Sequence, residues 1–221
     1  MNKEEVYLEL KNKLNFSSDD LVKLSIFHDE LLKFNRNYNL ISKSTETDVW
    51  NRHILDSAQI VKYIDFDDGK SLSDMGSGAG FPGIVLAIYN KNKRFHVKLY
   101  EKSNIKCDFL ENIANKLDLG CDIFGKYQEE EISSEYVVSR AFKQLGEILR
   151  ISRETIKVNH KLIVLKGKNA ENEIYKLQQP IEFMYKLEKS ITDINSRILI
   201  VDVKKKNEKN NISNKPKRWR R

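Results

Sequence analysis

The chain has 221 residues, of which 40% are hydrophobic, and a formal net charge of +7. That length suits one large domain, or one domain with a helical extension, and the composition excludes a fibrous or wholly disordered chain. Two cysteines, Cys107 and Cys121, without CxxC or paired Cys/His spacing, exclude a disulfide framework and a zinc module; with no signal-peptide core and no run of about 18 apolar residues, a cytoplasmic protein is expected.

Residues 17–40 open on Ser/Asp caps and carry Leu21, Leu24, His28, Leu31 and Tyr38 near helical spacing, which predicts an amphipathic helix. A second helix is expected within residues 44–64, where Thr45 and Asp48 have capping-box spacing and Trp50, Ile54 and Val61 share a face. No strand signal precedes about residue 71. From there short apolar runs alternate with helical periods: SLSDM then PGIVLAIY, FHVKLYE then SNIKCDFLENIANKL, CDIFG, EYVVS then FKQLGEILRISRETI, and HKLIVLK then NAENEIYKL. This is the pattern of a parallel, doubly wound α/β sheet. Two further runs, residues 182–190 and 196–204, are separated by a short break at Thr192 to Asn195 and predict a final antiparallel strand. Three segments are expected: a helical region over 1–68, a Rossmann-like domain over 69–203 and a tail over 204–221.

Four of the nine glycines, Gly76, Gly78, Gly80 and Gly83, fall in the stretch DMGSGAGFPG, directly after the first expected strand. In doubly wound sheets that turn is where a nucleotide-like ligand lies. A P-loop is excluded, because the only Gly-Lys-Ser, Gly69 to Ser71, precedes the strand and has Ile64 where the first glycine belongs. A dinucleotide fingerprint is matched by Gly78, Gly80 and Gly83, but about two residues late and with Pro82 among the amides meant to face a diphosphate. The third reading is S-adenosylmethionine, which lacks a diphosphate. Asp74 would sit beside the methionine part, and Gly76, Gly78 and Gly80 would let the backbone approach it. Glu101, at the end of the second strand, would hold the ribose hydroxyls. An NAD-dependent oxidoreductase and a non-catalytic RNA-binding protein stay open as alternatives.

The charge is concentrated at the end of the chain. Residues 204–221 hold nine Lys/Arg and one acid, whereas the other 203 residues sum to −1. Such a run cannot bury a core and suits a polyanion, with Lys204, Lys205, Lys206 and Arg218 for phosphates and Trp219 for stacking.

The motifs FNRNYNLIS, RHILDS, DMGSGAGFPGIVLAI, KCDFLENIANKLDL, VVSRAF and LIVLKG together resemble the RsmG (GidB) family over about residues 20–203. The resemblance implies a class I methyltransferase domain behind a helical region. It implies S-adenosyl-L-methionine as donor, and N7 of one guanine in 16S ribosomal RNA, or in the small-subunit particle, as acceptor. No metal and no membrane are implied, and a monomer is expected. Carried over by motif, the cofactor contacts are Gly76, Phe81, Tyr127, Gln128 and Arg140, with Asn39 and Lys166 toward RNA. Two departures stand out: Lys126, Tyr127 and Gln128 replace a usual Arg-Ala-Glu, and Asn159 with His160 replaces a frequent Gly-Gly. Guanine N7 has a free lone pair and no proton, so the reaction requires positioning and no general base. Arg140 is the expected catalytic residue, gripping O6, a phosphate or the methionine carboxylate. His53 and Asp56, three apart on the second helix, are read as a mutual hydrogen-bonded pair or a cap for the loop, with His53 also a candidate for substrate RNA.

Overall fold

The computed structural model describes residues 1–125, 132–140, 143–178 and 184–205. Two capped helices open the chain. In α1 (Lys3–Asn12), which the sequence pattern did not announce, the Asn2 side chain accepts from the Glu5 N–H at 2.9 Å and Glu5 accepts from the Asn2 N–H at 2.8 Å. The same reciprocal device joins Ser17 and Asp20 at the start of α2 (Ser18–Asn35). Leu24, Phe27 and Leu31 line one stripe of α2 and are fully buried; each contributes about 1.5–3 kcal/mol through burial. The helix stops at Asn35, whose Oδ1 accepts from the N–H groups of Leu40 at 2.7 Å and Ile41 at 2.9 Å and so turns the chain. Tyr38, expected to extend the stripe, therefore lies beyond the helix and is 44% exposed.

The expected second helix is broken into pieces. Lys43–Asp48 is a 3-10 turn, Trp50–Leu55 a π turn, α3 (Asp56–Ala58) a short α segment and Gln59–Tyr63 a further 3-10 turn. The capping box at Thr45 and Asp48 does not form: the Thr45 hydroxyl turns back to the Ser42 carbonyl at 2.9 Å, and Asp48 accepts from the Asn51 side chain at 3.4 Å. Trp50, Ile54 and Val61 are nonetheless buried in one cluster.

The remainder alternates: β1 (Ser71–Met75), α4 (Gly83–Tyr89), β2 (His96–Tyr100), α5 (Asn104–Lys116), β3 (Cys121–Phe124), β4 (Tyr136–Arg140), α6 (Leu145–Thr155), β5 (His160–Lys166), α7 (Ala170–Gln178), β6 (Tyr185–Lys189) and β7 (Arg197–Val203). The strands form one sheet in the order β3-β2-β1-β4-β5-β7-β6. Pairings from β3 through β5 are parallel, and β7 runs antiparallel to both β5 and β6. The fold is thus the mostly parallel doubly wound sheet with one antiparallel strand that the periodicity predicts.

Strand pleating sorts successive side chains into two cores. Ile163 and Leu165 of β5 and Ile198 and Ile200 of β7 join the cluster that also holds Val6, Leu24 and Phe27 of the N-terminal helices. Leu162, Val164, Leu199 and Val201 join the opposite cluster, under α6 and α7. Chain order reverses at β1, which lies between β2 and β4, so a crevice opens beyond the carboxyl ends of those strands. No helix among the described residues is long and apolar enough to cross a membrane.

Candidate active site

The glycine turn leaves β1 into this crevice. Gly76, Gly78 and Gly80 have φ of 77°, 59° and 93°, the left-handed region open to glycine at little cost. Their surroundings differ. A Cβ on Gly83 would lie 2.1 Å from Leu99 and 2.6 Å from Asp74, so that glycine permits α4 to pack on the sheet. A Cβ on Gly78 would meet only the Gly76 carbonyl, at 3.9 Å, leaving a cradle that a side chain would fill.

Almost every amide of the turn is already spent. Those of Gly76 and Ser77 donate to the Tyr100 carbonyl at 2.9 and 3.0 Å, and those of Gly80 and Phe81 to the Ser77 carbonyl at 2.8 and 3.1 Å. The Gly78 amide donates to Glu101 Oε2 at 2.9 Å, and the Gly83 amide to Asp74 Oδ2 at 2.9 Å. A diphosphate would find two carboxylates and hardly a free N–H, which removes the physical basis of the dinucleotide reading. Glu101 also accepts from the Ser103 N–H at 2.9 Å, and a carboxylate has lone pairs to spare for ribose hydroxyls. Asp74 is completely buried, and its Oδ1 has no partner among the described residues. Burial pushes its carboxyl up to about 7, opposed by the Gly83 amide, the Ser77 side chain and the positive charge of Arg140.

The RHILDS and SRAF motifs meet in space. Arg140, at the end of β4, donates through Nη1 to the Arg52 carbonyl at 3.0 Å and through Nη2 to His53 Nδ1 at 2.7 Å. Its Nη1 lies 3.7 Å from Asp56 Oδ2. The π turn makes this possible, because the wide turn aims a backbone carbonyl, an imidazole and a carboxylate at one guanidinium. The expected His53–Asp56 pair is thereby corrected: each serves Arg140. Asp56 Oδ1 also accepts from Gln59 and Thr192, both at 2.9 Å, tying the hairpin between β6 and β7 to the same centre. Burial raises the Asp56 carboxyl and Arg140 opposes the shift. Burial, with the charges of Arg140 and Arg52, pushes the His53 ring down to about 3, so it is neutral at working pH. Both residues also touch the glycine turn: the Phe81 ring stacks with His53 at 5.0 Å and lies 5.0 Å from the Arg140 guanidinium carbon.

Arg140 and His53 also line a cleft of about 450 Å³, whose walls include Arg52, Asp56, Lys166 and Lys168. Lys166 is held by the Lys143 carbonyl at 2.8 Å and Glu173 at 2.9 Å. Arg140 and His53 thus belong to the cleft and, through Phe81, also touch the glycine turn. Asn39 is exposed in the turn after α2 and does not line the cleft; the organising residue there is Asn35. Lys204 and Lys205 are exposed beyond β7. Tyr127, Gln128, Lys206, Arg218 and Trp219 lie outside the described residues. Sequence reasoning missed Arg52, Lys168 and Arg197 in the cleft walls; Arg52 lies inside and Lys168 next to a matched motif, whereas Arg197 lies in a strand run without such a signal.

Sheet order, an acid-flanked turn with hardly a free amide, and a basic cleft beyond β4 and β5 define the class: a doubly wound methyltransferase fold. A SAM-dependent methyltransferase from Aquifex aeolicus superimposes with a TM-score of 0.53 at 13% identity, over 79% of this chain and 97% of that one. The chain belongs to the family described as rRNA small subunit methyltransferase G (GidB), whose model matches residues 20–201. It is 35% identical over 208 residues to ribosomal RNA small subunit methyltransferase G of Pelagibacter ubique, covering 91% of this chain and 97% of the relative. Its identity to the protein of the same name from Rickettsia typhi is 39% over 186 residues, covering 84% and 95%.

Proposed function

We propose that this protein transfers a methyl group from S-adenosyl-L-methionine to N7 of a guanine in 16S ribosomal RNA, acting in the cytoplasm on the RNA or its small-subunit particle. The observation that carries the reading is Arg140 with His53, which line a cleft that also holds Arg52, Lys166 and Lys168 and which touch, through Phe81, the acid-flanked glycine turn.

The residues fit the cofactor. The cradle at Gly78 and the positive-φ glycines allow close approach, Glu101 offers acceptors to ribose hydroxyls, and the orphan Asp74 Oδ1 is a buried acceptor for a cationic amino group. When bound, S-adenosylmethionine supplies a methyl group activated on a sulfonium. What this chain must then do is orient the base and exclude water. No side chain has to remove a proton, because N7 carries none. Arg140 cannot press on N7, where positive charge develops; held by Arg52, His53 and Asp56, it serves an anionic group, either the methionine carboxylate or a phosphate. Lys168 and Arg52 on the cleft walls suit the flanking phosphates.

The test is to map N7-methylguanine by borohydride and aniline strand scission in ribosomal RNA from cells with and without the gene, and to titrate the protein with S-adenosylmethionine and NAD by calorimetry. Loss of one scission site with the gene, and heat from the first ligand alone, are expected. An unchanged scission pattern would overturn the reading.

A further inference from the structure

His53 carries a feature beyond its contacts with Arg140 and Phe81. A guanidinium has only donors, so the 2.7 Å contact from Arg140 Nη2 requires His53 Nδ1 to accept, and the ring proton is fixed on Nε2. That Nε2–H is buried and has no hydrogen-bond partner among the described residues. Buried donors are almost always satisfied, so an orphan on a residue that lines the cleft marks a group that a ligand completes. The ring is also held in place, stacked on Phe81 at an interplanar angle of 28°.

The acceptor can be chosen by chemistry. Guanine presents N7 and O6 side by side on one edge, whereas adenine presents N7 beside an amino group. We propose that His53 reads the target base, its Nε2–H donating to guanine O6 while N7 faces the methyl group; this rests on the function proposed above. A neutral donor suits that place better than a cation, because it grips O6 without opposing the positive charge that forms on N7. Adenine would set an amino group against the ring N–H and be refused. The tautomer that makes this discrimination is imposed by Arg140, so one residue of the SRAF motif sets what the RHILDS motif can recognise.

The test uses the whole protein and small-subunit particles carrying either guanine or 2-aminopurine at the target position, the latter keeping N7 and lacking O6. In single-turnover methyl transfer the unaltered protein is expected to favour guanine about ten- to hundredfold. His53→Asn offers a carbonyl to Arg140 in place of Nδ1 but no N–H at the reach of Nε2. It should lose that preference on the guanine side while keeping S-adenosylmethionine affinity by calorimetry. His53→Gln carries an amide N–H out to the Nε2 position and should retain most of the preference, which covers a failure of the first variant to fold. Nitrogen NMR of the ring gives a readout independent of activity, with the Nε2–H tautomer expected across the neutral range. Undiminished preference in folded His53→Asn, equal transfer to both bases by the unaltered protein, or a proton on Nδ1 would overturn the inference while leaving the function. Absence of transfer to guanine by the unaltered protein would overturn the function and the inference together.

Discussion

Two glycines eight residues or fewer from the end of β1 are expected to fail in different ways. Gly78→Val places its side chain in open space, so the fold survives at a cost of about 1–2 kcal/mol for a left-handed branched residue, and cofactor affinity is lost. Gly83→Val drives Cβ into Leu99 and Asp74 and should unfold the domain; circular dichroism beside calorimetry separates the two outcomes. Glu101→Gln should weaken S-adenosylmethionine by about 1.5–3 kcal/mol, the worth of hydrogen bonds to a charged group. A 2′-deoxy cofactor should lose much less further affinity on that variant than on the parent, and additive losses would remove Glu101 from the ribose. Asp74 predicts a pH dependence. Its folded value, near 7, lies above the unfolded 3.8, so between those values the folded state keeps a proton that the unfolded state has released. Stability without ligand should therefore fall as pH rises from about 4 to about 7, by on the order of 3–4 kcal/mol, and level off above. Asp74→Asn should flatten this slope in urea unfolding measured across pH.

At the level of elements, the hairpin between β6 and β7 and the π turn are joined through Asp56, so removing that carboxylate acts on both. Asp56→Ala should destabilise the fold by about 1–3 kcal/mol, because the half-buried Arg140 guanidinium loses its carboxylate partner and the Gln59 and Thr192 side chains lose their acceptor. Asp56→Ala with Arg140→Ala together should cost less than the sum, which a double-mutant cycle in thermal unfolding measures. The sheet was legible in the sequence because β4 and β5 are buried on both faces and read as apolar runs bounded by turns, as in EYVVS and HKLIVLK. α1 was not, since its buried residues, Val6 and Leu10, are two among charged neighbours, and what starts the helix is a capping box at Asn2. The π turn was illegible for a different reason: its helical spacing is ordinary, and the guanidinium it meets lies more than 80 residues away in β4. The same separation hid the role of RHILDS, whose motif was visible while the guanidinium it holds was not.

For the whole molecule, we propose that residues 1–68 form a helical buttress, 69–203 the methyltransferase domain and 204–221 an electrostatic arm, the last mostly outside the described residues. The arm carries the net positive charge. If three to five of its charges meet phosphates, truncation after Val203 should flatten the dependence of log affinity for RNA on log salt by about 2–4 units. The methylated position and the cofactor affinity should not change, and an unchanged slope would reduce the arm to a solubilising terminus. The saturated glycine turn matters at this scale too. Adenine nucleotides share the adenosine half of the methyl donor, so recognition of adenosine alone would leave the enzyme open to competition from the energy-carrying nucleotides around it. A turn whose amides are almost all consumed by its own chain, with Glu101 bonded to its Gly78 amide, meets a phosphate with negative charge and offers it almost nothing to bond. Methyl transfer is therefore expected to follow the supply of methyl donor and to be insensitive to added adenine nucleotides.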